Sequence, residues 1–125
     1  MNQEIKQKWV NALRSGEYIQ TITALKRVIS ENEKPRYCCL GVLCDLYVKE
    51  KNLEWEKSNS VDSEKQMLLN SFSYLPHDVR EWAELEELNP IIRDSDNLEI
   101  ESLAQLNDTK NLKFDVIADL IEKYF

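Results

Sequence analysis

Glycine is nearly absent from this chain, with two in 125 residues, and histidine occurs once. So little glycine rules out the glycine-rich loops that cradle phosphates, because those loops need several glycines at fixed spacing. Neither Gly-x-Ser-x-Gly nor His-Glu-x-x-His occurs, which removes the hydrolase nucleophile elbow and the zinc-protease helix. With one imidazole, a Cys–His mechanism has a single candidate base, His77, in the polar run Leu75-Pro76-His77-Asp78. Long apolar runs are also missing, since nothing approaches the ~20 residues a membrane span needs. The opening Met1-Asn2-Gln3-Glu4-Ile5-Lys6 has no apolar signal-peptide core. These absences lead us to expect a cytoplasmic protein that uses no cofactor and has no contact with membrane.

What is present suits one domain. The chain is 42% apolar and 9% aromatic, enough to build a single core. The formal charge of −7 is unevenly spread. Residues 1–37 carry seven Lys/Arg against four Asp/Glu, a balance of +3, and residues 81–108 carry one Arg against nine Asp/Glu, a balance of −8. Phosphate is repelled by so acidic a surface, so bulk nucleic acid is not an expected partner. A local anion site in the first third and an acidic docking surface in the last third both stay open, beside the plain alternative of solvated faces.

Periodicity predicts the elements. Ile5, Trp9, Ala12 and Leu13 give a helix over Gln3–Ser15, stopped by Gly16. Tyr18–Thr23 alternates and starts a strand, and Ser30–Pro35 is a turn. Arg36–Cys39 is extended and leads into a helix over Leu40–Lys51, with Leu40, Leu43, Cys44 and Tyr47 on one face. Leu53–Glu56 reads as a short strand, residues 57–66 as a loop or insertion, and Met67–Tyr74 as a return to apolar character. Leu75-Pro76 opens a third helix carrying Val79, Trp82 and Ala83. Ile91–Arg93, the turn Asp94–Asn97 and Leu98–Ile100 form a hairpin. Ser102 caps a short helix through Leu106. A last helix over Lys113–Tyr124 buries Phe114, Ile117, Leu120, Ile121 and Tyr124. The expected class is α+β: one small domain with four to five helices on a small, mainly antiparallel sheet.

Three features could carry function. All three cysteines, Cys38, Cys39 and Cys44, fall in one short run with Gly41 and Asp45. No Cys-x-x-Cys pair exists and adjacent cysteines diverge, so a metal site is not expected and packing is the favoured role. A helix N-terminus lowers a thiol pKa, which keeps a nucleophilic Cys38 or Cys39 as an alternative. Arg14, Tyr18 and Gln20 offer a phosphate fork, a stacking face and a two-sided amide. Arg36, Asn107 and Asp108 extend that set, although Asn and Asp at a helix end more often satisfy backbone groups. The acidic run with Glu84, Glu86 and Glu87 is the third feature, and it would suit a protein partner.

Five stretches together resemble a known family: Trp9-x-x-x-Leu13-Arg14-Ser15-Gly16-x-Tyr18-x-Gln20, Cys38-Cys39-Leu40-Gly41-Val42-Leu43-Cys44-Asp45, Leu75-Pro76-x-x-Val79-x-x-Trp82-Ala83, Leu103-Ala104-x-Leu106-Asn107-Asp108 and Phe114-x-x-Ile117-Ala118. The family consists of small, mostly uncharacterised proteins encoded by phages and prophages. No established activity comes with it. Its members tend to carry glycines just after Tyr-x-Gln, where this chain has Thr21, Ile22 and Thr23. The resemblance implies an accessory protein that counters a host defence process by binding. Its partner would be a small nucleotide-derived signal held in a pocket of a homo-oligomer, or a host defence protein. An acidic inhibitor of a nucleic-acid-binding enzyme and a small thiol-dependent enzyme are the alternatives.

Overall fold

A computed structural model describes residues 1–125. In chain order the elements are α1 (Gln3–Arg14), β1 (Ile19–Gln20), β2 (Lys26–Arg27), β3 (Arg36–Tyr37), α2 (Cys39–Lys51), β4 (Glu56–Lys57), β5 (Gln66–Met67), α3 (His77–Ala83), β6 (Ile91–Arg93), β7 (Glu99–Ser102), α4 (Leu103–Asp108) and α5 (Phe114–Tyr124). The class is α+β. The strands form three small sheets rather than one: β1–β3–β2, β4–β5 and β6–β7. β1 runs parallel to β3, and the other pairs are antiparallel.

α1 begins where Asn2 accepts the Ile5 N–H at 3.0 Å and ends before Gly16, whose φ of 78° suits a residue without Cβ. Its Ile5, Trp9, Val10 and Leu13 are buried and pack mainly against α5, which offers Phe114, Ile117, Ala118 and Ile121. Two expected core positions of α5 differ. Tyr124 is exposed and Leu120 is half-buried, while Ala118 is fully buried. Four residues beyond Ile121 the stripe falls on Phe125, so Tyr124 turns outward.

α2 departs furthest from the single-face expectation. Every residue from Cys39 to Asp45 is buried, including Gly41 and Val42, so the helix is the centre of the molecule and not a surface helix. Its main helical neighbours are α1, α4 and α3. Cys38 serves as the N-cap, its Sγ accepting the Gly41 N–H at 3.4 Å. The thiol stands where serine is usual. Asn52, at φ 55°, closes the other end.

The β-rich stretches are shorter than alternation suggested. Only Ile19 and Gln20 of the Tyr18–Thr23 stretch lie in a strand. Leu53–Glu56 does not form the expected strand, because the pairing begins at Glu56, where β4 meets β5. Residues 58–65 connect the two. After β5, Leu68 and Ser71 exchange two backbone hydrogen bonds around Leu69 and Asn70, both at positive φ. The expected hairpin is present as β6–β7, with an extra residue in β7 at Ile100.

One contact fixes how these parts assemble. A Cβ built on Gly41 would lie 1.6 Å from the Leu25 carbonyl oxygen and 2.5 Å from its carbon. The segment before β2 therefore crosses α2 at backbone distance, with Leu25 and Ala24 fully enclosed. Neither backbone can yield as a flexible side chain would. We expect Gly41→Ala to cost more than the ~1–3 kcal/mol usual for an overpacked core, read as a lowered urea midpoint. A variant melting with the wild type would contradict the crossing.

Candidate functional site

The residues singled out by sequence meet around the start of α2, most of them bonded to one another. Asn107, at the end of α4, is fully buried. Its Oδ1 accepts from Gln20 Nε2 at 2.9 Å and from the Cys39 N–H at 3.1 Å. Its Nδ2 donates to the Thr21 carbonyl and to Asp108 Oδ1, each at 2.8 Å. Two donors and two acceptor positions are all an Asn side chain has, so this amide is saturated. Gln20 Nε2 also donates to the Leu112 carbonyl at 2.8 Å. Trp9 Nε1 donates to the Cys39 carbonyl at 2.9 Å, which satisfies the other backbone group of that residue. One clamp thus joins α1, β1, α2, α4 and the loop before α5.

A second network lies along the same helix. Asp45 is buried, and it accepts from Tyr18 Oη at 2.7 Å and Trp55 Nε1 at 3.1 Å, with Lys49 Nζ at 3.3 Å. The rings of Tyr18 and Tyr37 meet edge to face at 5.0 Å, and Tyr37 meets Trp55 at 6.3 Å. Burial, followed by the Asp45 hydrogen bond and charge, holds the Tyr18 phenol protonated well beyond its ordinary range. Lys26 lies over both Tyr37 and Trp55, and burial makes its ammonium more acidic, against the opposing charge of Asp45. Tyr18 is thereby a structural anchor, with its hydroxyl committed inward.

The remaining candidates separate. Arg14 pairs with Asp119 at 2.6 Å and Glu122 at 2.7 Å on α5, which neutralises it there. Arg36 lies in β3, flanked by Ile19 and Arg27 across the sheet. Its nearest carboxylate is Glu33 at 3.8 Å, and its Nε is buried without a partner. Gln20, Asn107 and Asp108 come together as expected, whereas Arg14 does not join them.

The thiols are buried and unpaired. Burial pushes the Cys38 thiol up to about 12 despite the Gly41 N–H that it accepts. Burial also raises Cys39 and Cys44 well above the ordinary thiol range. A nucleophile needs thiolate and access, and these positions have neither. No group of three or more His, Cys, Asp or Glu side chains is arranged to hold a metal.

Open polar surface lies beside the clamp. A cleft of about 160 Å³ is lined by Gln20, Thr21, Ile22, Asn107, Asn111 and Lys113. A broader depression of about 480 Å³ has the neighbouring residues Thr23 and Asp108 in its wall, together with Tyr74, Asn89, Gln105 and Thr109. Tyr74 is 52% exposed there. Asn89 Oδ1 and Gln105 Oε1 are occupied by the Ala104 N–H and the Ser102 hydroxyl, which leaves their NH₂ groups as donors. Thr23 has φ 61°, an uncommon conformation for a β-branched residue, within the stretch where the resembled family carries glycines. Sequence reasoning missed Tyr74, Asn89 and Gln105. Tyr74 read as the end of an apolar run, and the surface that joins the three is assembled only by the fold.

The fold and its saturated clamp define a small α+β domain built around a central buried helix. The chain belongs to the family described as a domain of unknown function (DUF8296), whose profile matches residues 1–125. No curated protein and no solved structure matches the chain significantly. No helix is long and apolar enough to cross a membrane.

Two outcomes follow from the clamp. Asn107→Ala leaves the Cys39 N–H buried without its acceptor and should cost roughly 2–4 kcal/mol in urea unfolding. The three thiols should resist alkylation in the folded protein and react fully in denaturant. Fast native alkylation of Cys38 or Cys39 would restore the nucleophile.

Proposed function

We propose that the protein works by binding without turnover, capturing a small nucleotide-derived signal and so blunting a host defence process. The carrying observation is Tyr74, a half-exposed ring beside free amide donors and the Asp108 carboxylate in one depression. A base stacks on the Tyr74 ring. The NH₂ groups of Asn89 and Gln105 meet acceptors on its edge, and Asp108 accepts from ribose hydroxyls. Lys113, in the wall of the neighbouring cleft, supplies a cation for a phosphate. The depression is open, so a second copy of the chain would cover the ligand's outer side. Resemblance to phage-encoded proteins supports the biological direction, and the deeply buried thiols favour binding over catalysis.

The motif residues enter this reading as supports. Gln20 and Asn107 hold the Thr21–Thr23 segment against α4 and thereby shape both walls. Ligand contact passes to Tyr74, Asn89, Gln105 and Asp108, which replaces the expected grip by Arg14, Tyr18 and Gln20.

The test is a thermal-shift panel of mononucleotides, cyclic dinucleotides and nucleotide–ribose conjugates, followed by denaturation and recovery of the ligand. At least one compound should raise the melting temperature and return chemically intact. Tyr74→Ala should weaken its binding by the ~1–3 kcal/mol of one base–aromatic stack, with the unliganded melting temperature little changed. No shift with any nucleotide would end the proposal. Recovery of an altered ligand would make the protein an enzyme.

A further inference from the structure

The β6–β7 hairpin carries two apolar side chains that nothing in the fold covers. Leu98 is 63% exposed and Ile100 is 55% exposed. The register explains Ile100. Ile92 faces Glu101 and Arg93 faces Glu99, so Ile100 is the extra residue of a β-bulge. Bulges bend a strand and re-aim a side chain, and this one presents an isoleucine to water. Leu98 is held beside it by a well-made turn: Asp94 Oδ1 accepts the N–H groups of Asp96 and Leu98, each at 2.9 Å. Asn97, at φ 62°, completes that turn.

The charge around this pair has one sign. Asp94, Asp96 and Glu99 are exposed on the same hairpin, and Glu101 is half-exposed. The one cation of the hairpin, Arg93, is taken up by Glu87 at 2.6 Å and Glu99 at 3.6 Å, so it offers little positive field outward. An apolar pair ringed by carboxylates is complementary to apolar side chains flanked by Lys or Arg. Phosphate-bearing surfaces are repelled. A second copy of the chain would set carboxylates against carboxylates if it docked by the same hairpin.

We infer that this hairpin is a docking surface for a basic, apolar-bearing segment of another protein. Leu98 and Ile100 are the anchors, and the surrounding carboxylates select the partner and speed its approach. The hairpin adjoins the Tyr74 depression at Ser102 and Gln105, but its anchors Leu98 and Ile100 lie outside that depression's lining, and docking there does not depend on nucleotide capture.

The probe is a fluorescein-labelled amphipathic peptide bearing Lys and Leu, read by anisotropy against the intact protein. Its controls are a Leu→Ser peptide of equal charge and a Lys→Glu peptide. The parent peptide should bind, and roughly tenfold weaker binding is expected on raising the salt above physiological strength. Leu98→Ser/Ile100→Ser and, independently, Asp96→Lys/Glu99→Lys should each weaken binding by about tenfold or more. Both variants change exposed side chains, so an unchanged melting temperature confirms that they fold. Tyr74→Ala should leave peptide binding unchanged, and Leu98→Ser/Ile100→Ser should leave any nucleotide-induced thermal shift unchanged. Absence of peptide binding, equal binding of the Leu→Ser or Lys→Glu peptide, or equal binding by the variants would overturn the inference. Concentration-dependent dimerisation lost in Leu98→Ser/Ile100→Ser would overturn it in favour of a second copy.

Discussion

The backbone crossing at Gly41 is the constraint on which the rest of the structure depends. The Leu25 carbonyl occupies the place of a side chain at residue 41, so β2 and β3 are drawn tight against the first turn of α2. The approach puts the Cys39 backbone within reach of Trp9 on one side and Asn107 on the other. Buried polar groups in a low-dielectric interior must be satisfied or they cost heavily. Here the satisfaction is complete at Asn107, and one saturated amide ties together segments far apart in sequence. The scarcity of glycine makes the point sharper, since one of only two is spent where no other residue fits.

That arrangement gives the conspicuous motifs a physical reason. The cysteines pack because their small, apolar side chains fit a helix start crossed at backbone distance, with Cys38 also capping it. The Leu-Asn-Asp end of α4 supplies the clamp and its flanking carboxylate. Tyr18 and Asp45 form a second tie between β1 and α2, reinforced by Trp55 and Lys49. The motif residues are therefore largely frame, and the ligand contacts we propose fall to less conspicuous positions.

The fold was legible where periodicity was strong. Ile5, Trp9 and Leu13 announce α1, and Phe114, Ile117 and Ile121 announce α5. The hairpin at Ile91–Ile100 was readable from its turn residues. The burial of α2 on all sides was not readable, because a uniformly apolar helix start has no distinct face to locate. The short strands were overestimated because alternation reports exposure as much as pairing, and β1 and β4 contribute only two residues each. At the candidate site, residue chemistry grouped Gln20, Asn107 and Asp108, which the fold brings together, but could not show that Asn107 is saturated by internal bonds or that the Gln20 NH₂ is committed to Asn107 and the Leu112 carbonyl. The pairing of Arg14 was not readable, because its partners, Asp119 and Glu122, lie more than a hundred positions away. Tyr74 carried no local signal, since only the approach of α4 gives its exposed ring a polar surround.

The central claim is that the Gly41 crossing and the Asn107 clamp open only when the whole domain opens. Native-state hydrogen exchange at the Cys39 amide and the Trp9 indole N–H reads this directly. Both should exchange with the same opening free energy as the slowest amides of α1 and α5, and with the same urea dependence. Exchange of the Cys39 amide through a low-energy, urea-independent local opening, while α1 and α5 stay protected, would contradict the account.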